Sequence, residues 1–151
     1  MKPLISVIFI FILFSCSENA QYIVENKDIE KKTEHFDIVY FENGSHELSV
    51  KAKDVLMKFA RLSDISQKTI YLSGHTDKSG AEAANNTLSK TRVDAVKDFL
   101  IQLGMKEENI KSEFFGEKKP IQKGDSQQDY AKNRRVEIYL IQNIGGGNEE
   151  H

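Results

Sequence analysis

Thr69-Ile70-Tyr71-Leu72-Ser73-Gly74-His75-Thr76-Asp77-Lys78-Ser79-Gly80 changes character at one step, from a β-branched and aromatic run to a polar turn. The first half predicts a buried strand over 69–73 that stops at Gly74. Downstream, Leu88, Ala95, Val96, Phe99, Leu100 and Leu103 recur at helical spacing before Gly104, which predicts a helix with a glycine C-cap. Upstream, Leu48, Ala52, Val55, Leu56, Phe59 and Leu62 form a second apolar stripe, with Ser45 as its expected N-cap. Phe36 to Phe41 (FDIVYF) precedes that stripe as a strand, and Ile110 to Phe115 and Val136 to Ile141 supply two more. The order β-α-β-α-β-β predicts an α/β (α+β) two-layer sandwich, a small mixed sheet with two main helices packed on one face.

The ends read differently. Met1-Lys2 is a short basic start, and Leu4 to Phe14 is apolar except for Ser6. These 11 residues are too few for a bilayer span, which needs about 20. Residues 1–15 are therefore expected to be a cleaved signal segment. Cys16 is the sole cysteine, which excludes an intramolecular disulfide. Leu13-Phe14-Ser15-Cys16 resembles a bacterial lipobox, which implies a diacylglycerol on the Cys16 sulfur and membrane attachment through it. Phe14 is bulkier than the small residue common there. Residues 16–34 are polar and without periodicity and are expected to form a tether. The globular part is expected over 35–142, and 143–151, ending Gly145-Gly146-Gly147-Asn148-Glu149-Glu150-His151, is expected to be a mobile tail.

Composition narrows the classes further. With 39% hydrophobic and 29% charged residues in 151, one domain with a core is expected. A net charge of -2 provides no basic excess for a phosphate backbone, so nucleic acid is not an expected partner. His75 and Asp77, with His46 or His35, do not complete a zinc set, and no Ser or Cys stands beside a base and an oxyanion site. Neither metal, cofactor nor catalytic activity is expected, and His75 reads as a turn or packing residue.

The site residues emerge from the same stretches. Arg92 falls four residues after Leu88 and four before Val96, on the apolar stripe. Arg134 shares strand parity with Val136, Ile138 and Leu140, so it too is expected on the core side, whereas Arg135 is expected on the solvated face. Two inward guanidinium groups call for an anion, and Asp77 in the loop after the strand can supply it. From the residues alone, an internal Asp77–Arg92 salt bridge and a ligand site are both open. Asn133 suits either a turn or a ligand contact.

Phe41 with Gly44-Ser45 and Leu48, Gly74-His75-Thr76-Asp77, Asn85 with Leu88-Ser89-Lys90-Thr91-Arg92, Gly116-Glu117 with Pro120, and Asn133-Arg134-Arg135-Val136-Glu137 run in one order across residues 36 to 141. In these pieces the chain resembles the OmpA C-terminal-like domain. That family includes the peptidoglycan-associated lipoproteins and the wall-binding half of flagellar stator proteins. The resemblance implies a pocket for the diaminopimelate of a peptidoglycan stem peptide. Asp77 would accept the ammonium and Arg92 the carboxylate, Arg134 would assist, Thr76 and Asn85 would hydrogen-bond the stem, and Leu88 would form an apolar wall. Glu42 is a further candidate, at a position where the family more often has Asp.

The expected function is noncovalent tethering of the outer membrane to the wall, with the domain facing the periplasm. The rivals are an envelope scaffold that binds other proteins and an accessory to a wall-remodelling enzyme. Asp77→Ala and Arg92→Ala are expected to abolish wall binding and leave the fold intact.

Overall fold

The computed structural model describes residues 31–62 and 68–143. The expected signal segment, Cys16 and the tail beyond Asn143 lie outside the described residues. Strands β1 (Lys31–Tyr40), β2 (Thr69–Gly74), β3 (Ile110–Phe114) and β4 (Arg135–Asn143) form one sheet in the order β1-β4-β2-β3. Helix α1 (Val50–Ala60) joins β1 to β2, α2 (Glu82–Gln102) joins β2 to β3, and α3 (Gln127–Asn133) precedes β4.

β2 and β3 are parallel, which requires the long crossover that α2 supplies, and β4 enters antiparallel between β1 and β2. Ala52, Leu56 and Phe59 of α1 and Val93, Val96 and Leu100 of α2 share one core with Val39, Ile70, Leu72, Ile110, Val136, Ile138 and Leu140 of the sheet. The two-layer sandwich expected from the periodicity is thus the fold.

Three details differ. β1 starts at Lys31, four residues ahead of the expected boundary at 35, because its N-terminal half pairs with β4, from Lys31 opposite Asn143 onward. α1 is capped by Ser49, whose hydroxyl accepts from Ala52 N, while Ser45 turns its hydroxyl to Glu47 N. Leu62 falls beyond the helix and is 39% exposed. The third is α3, absent from the expected order. It is held by a capping box between Ser126 and Asp129.

Gly74 ends β2 against α2. A Cβ there would come within 2.6 Å of Ser89 O and closer still to the Val93 side chain. Gly74→Ala should therefore lower stability by about 2 kcal/mol or more, since the clash includes helix backbone. A urea midpoint equal to that of the native sequence would contradict this packing.

Candidate functional site

The carboxyl ends of β1, β2 and β3 and the start of β4 lie at one edge of the sheet, where ligands collect in open α/β folds. Backbone bonds hold the loops there beyond the strands: Phe41 N donates to Arg134 O at 2.9 Å, His75 N to Arg135 O at 2.9 Å and Thr76 N to Gly116 O at 2.9 Å. The N-terminal half of α2 faces these loops with Asn85, Ser89 and Arg92, at steps of four and three and all buried.

Arg92 is completely buried. Its Nε donates to Ser45 O at 2.8 Å, Nη1 to His75 O at 3.1 Å and Nη2 to Glu42 O at 3.0 Å, and its guanidinium lies over the Phe41 ring, 5.1 Å from the centroid. One side chain thus ties the loop after β1 to the loop after β2. Burial draws its pKa down to about 10, with the Asp77 carboxylate opposing and the Arg134 charge adding to the shift. Three carbonyls depend on this group, which revises the expectation that Arg92→Ala leaves the fold intact.

Asp77 pairs with Arg134, not with Arg92: Arg134 Nη1 donates to Asp77 Oδ2 at 3.1 Å, and Arg134 Nε donates to Phe41 O at 3.1 Å. Arg134 points inward as expected, but from the C-terminal end of α3 just ahead of β4. The other Asp77 oxygen accepts from Ser79 N at 2.9 Å and so orders the turn. Two guanidinium groups thus stand against one carboxylate, which leaves the cluster one net positive charge. The Asp77 and Arg134 side chains keep 6% and 10% of their surface where Arg92 keeps none, so this pair is the solvent side of the cluster. Beside it, Thr76 is buried, and its hydroxyl has no hydrogen-bond partner among the described residues.

Asn85 stands further up the same face of α2, its amide bonded to Glu117. Leu88 is half-buried. Glu42 joins the site only by its carbonyl, since its side chain is exposed. Asn133 shapes a turn: its Oδ1 accepts from Ile121 N and Gln122 N, and its Nδ2 donates to Gln122 O. Arg135 is a correction. It is 2% exposed, bonded to Glu137 Oε1 at 2.7 Å and to Lys119 O at 3.2 Å, because the loop after β3 folds over the face that strand parity left open. Among the described residues, no three His, Cys, Asp or Glu side chains gather as a metal set.

His75 is a packing residue. Its ring stacks on Phe115 at 5.5 Å and its Nε2 lies 2.9 Å from Ser73 Oγ. Burial first, and then the charges of Arg135 and Lys119 against that of Glu137, lower its pKa to about 4. Between this value and the ordinary 6.5 the unfolded chain binds a proton that the folded one does not, so stability falls as the pH falls through that window. Relative to a His75→Phe variant, the native sequence should lose about 2 kcal/mol between pH 7 and pH 5. Parallel slopes for the two proteins in urea unfolding would contradict a neutral buried His75.

The model of the OmpA family matches residues 40–134, the span from the end of β1 to the residue before β4. The chain belongs to the OmpA family. Among similar proteins, the peptidoglycan-associated lipoprotein of Pseudomonas aeruginosa is 32% identical over 99 residues, 66% of this chain and 59% of that protein. The outer-membrane lipoprotein YfiB of the same organism is 33% identical over 103 residues, 68% of this chain and 61% of that protein. The matched part thus spans about three fifths of the length of these relatives. The crystal structure of the peptidoglycan-associated lipoprotein from Burkholderia pseudomallei superposes with a TM-score of 0.65 at 28% identity, covering 70% of this chain and 89% of that one.

Two residues of this OmpA family domain escaped the sequence reading as site residues. Phe41 lies beneath Arg92 and gives its carbonyl to Arg134, yet it reads as a strand-end aromatic. Glu117 enters the sequence only as the neighbour of Gly116 in the family pattern, and only the fold brings it to Asn85, 32 positions away.

Proposed function

We propose that this chain is a non-catalytic envelope lipoprotein whose domain binds the diaminopimelate of peptidoglycan stem peptides. Acyl chains on Cys16 hold it in the outer membrane, with the domain facing the periplasm, so that it tethers membrane to wall. The observation that carries the reading is the buried cluster of Arg92, Arg134 and Asp77, with one net positive charge and the unpartnered Thr76 hydroxyl beside it. A buried cation without a counter-charge is costly, and a ligand carboxylate offsets that cost.

The end of the diaminopimelate side chain carries an ammonium and a carboxylate on one carbon. Asp77 uses one hydrogen bond on each oxygen, and a carboxylate accepts about four, so it can take an ammonium as well. Arg134 meets the carboxylate on the solvent side. Arg92 has five N–H groups with three engaged, and the remaining two, one on each terminal nitrogen, suit a bidentate carboxylate once the loop of residues 42–49 yields. The names of the similar proteins, the peptidoglycan-associated lipoproteins among them, support the same reading.

The test is co-sedimentation of the purified protein with isolated peptidoglycan sacculi. Retention that free diaminopimelate-containing muropeptide competes away is the expected result. Protein that stays in the supernatant overturns the proposal and favours a scaffold that binds other envelope proteins.

A further inference from the structure

Glu117 bears on which ligand the site selects, an inference that rests on the ligand reading above. The loop after β3 is fastened to the polar face of α2: Gly116 N donates to Ser89 Oγ at 3.0 Å, and Gly116 O accepts from Thr76 N at 2.9 Å. A Cβ on Gly116 would press on Asn86 N at 3.3 Å and on the Asn85 carbonyl carbon at 3.4 Å, so loop and helix are in direct contact. Within this clamp the Glu117 carboxylate accepts a hydrogen bond from Asn85 Nδ2 at 2.5 Å.

An ionised carboxylate only accepts, so the amide must turn its NH2 toward Glu117, since the flipped amide would set two oxygens against each other. Asn85 is 4% exposed, and its Oδ1 is then directed away from Glu117. Asn85 shares its helix face with Arg92, and its neighbour Gly116 is bonded to Thr76, the residue before Asp77.

We propose that Glu117 is a positioning residue that fixes Asn85 as a hydrogen-bond acceptor. The site then offers two acceptors to the ligand, the Asp77 carboxylate and Asn85 Oδ1, and selects a primary ammonium, which carries three N–H donors, over an acylated amine, which carries one. Without Glu117 the Asn85 amide is free to turn and present its donor face, which repels an ammonium.

The experiment compares the native sequence, Glu117→Gln and the exchange variant Asn85→Asp with Glu117→Gln. Each is titrated with a diaminopimelate-containing muropeptide and with the same muropeptide acetylated on the side-chain amine. Glu117→Gln should bind the first ligand about 3- to 10-fold more weakly, the range of one hydrogen bond. The exchange variant should return to within about 2-fold of the native affinity. In it, the amide now at position 117 donates to one oxygen of the carboxylate now at position 85, and the other oxygen remains an acceptor, whereas a purely structural role for Glu117 predicts no such recovery. The acetylated ligand should bind all three weakly and alike.

Equal binding by Glu117→Gln and the native sequence, or weak binding by both variants, overturns the role given to Glu117 while the native titration still upholds the site. Native protein that binds neither ligand overturns the parent reading and this one with it. Thermal melting of each variant reports whether weak binding reflects a lost fold.

Discussion

Arg92→Ala should lower the free energy of unfolding by about 3–5 kcal/mol, a large fraction of the stability of a domain this size. The charge itself is not the reason, because Asp77 keeps its partner in Arg134. The loss comes from the carbonyls of Glu42, Ser45 and His75, which lose their donors, each at about 1–3 kcal/mol where no water replaces the guanidinium. The Phe41 ring also loses the cation above it. Arg92→Lys keeps the charge but has no planar fork to reach three acceptors in different directions, so it should recover less than half of the loss. Urea unfolding measures both variants. A cost below about 1 kcal/mol for alanine would mean that the loops after β1 and β2 do not depend on this side chain.

The second large effect is on binding. Asp77→Asn should weaken the affinity for a diaminopimelate-containing muropeptide by about 100-fold, since a partly buried charge pair broken on one side costs about 2–5 kcal/mol. The substitution removes the anion that receives the ammonium and raises the net charge of the cluster from +1 to +2. Stability should fall less, by about 1–3 kcal/mol, because an amide oxygen still accepts from Ser79 N or from Arg134. Lys78→Ala supplies the control. Lys78 is the next residue, exposed and paired with the still more exposed Asp125, so its loss should leave the affinity within about 2-fold. An Asp77→Asn variant that binds as the native sequence does would remove Asp77 from the site.

Local pattern carries much of this fold. The run from Thr69 to Ser73 is a strand and the stripe from Leu88 to Leu103 lies on one helix, but the buried face of that helix is turned slightly from the stripe: Val96 and Leu100 are buried with Asn85, Ser89, Arg92 and Val93, while Leu88, Ala95, Phe99 and Leu103 are half-buried. Pattern fails where stability comes from elsewhere. α3 has only Tyr130 and Ala131 as apolar residues, so it has no stripe, and its one local signal is Ser126 followed three residues later by Asp129. The N-terminal half of β1 is legible only through its pairing with β4. Strand parity sends Arg135 to solvent, and the loop that brings Lys119 O over it is tertiary structure. The same limit applies to the site. Residue types mark Asp77, Arg92 and Arg134 as charges in need of partners, but the choice among partners is made by bonds spanning 47, 50, 57 and 93 positions. The choice of Arg134 as the partner of Asp77 therefore appears only in the fold.

The central claim is that the cluster of Asp77, Arg92 and Arg134 receives a zwitterionic stem-peptide end. Calorimetric titration of the purified protein with a diaminopimelate-containing muropeptide, beside one that carries lysine at the same position, tests it most directly. Lysine retains the ammonium and lacks the carboxylate, so the two ligands differ in the group that the excess positive charge of the cluster requires. Saturable heat with the diaminopimelate ligand, and at least about 10-fold weaker binding of the lysine ligand, is the predicted result. Equal affinity for both, or no heat with either, would contradict the claim.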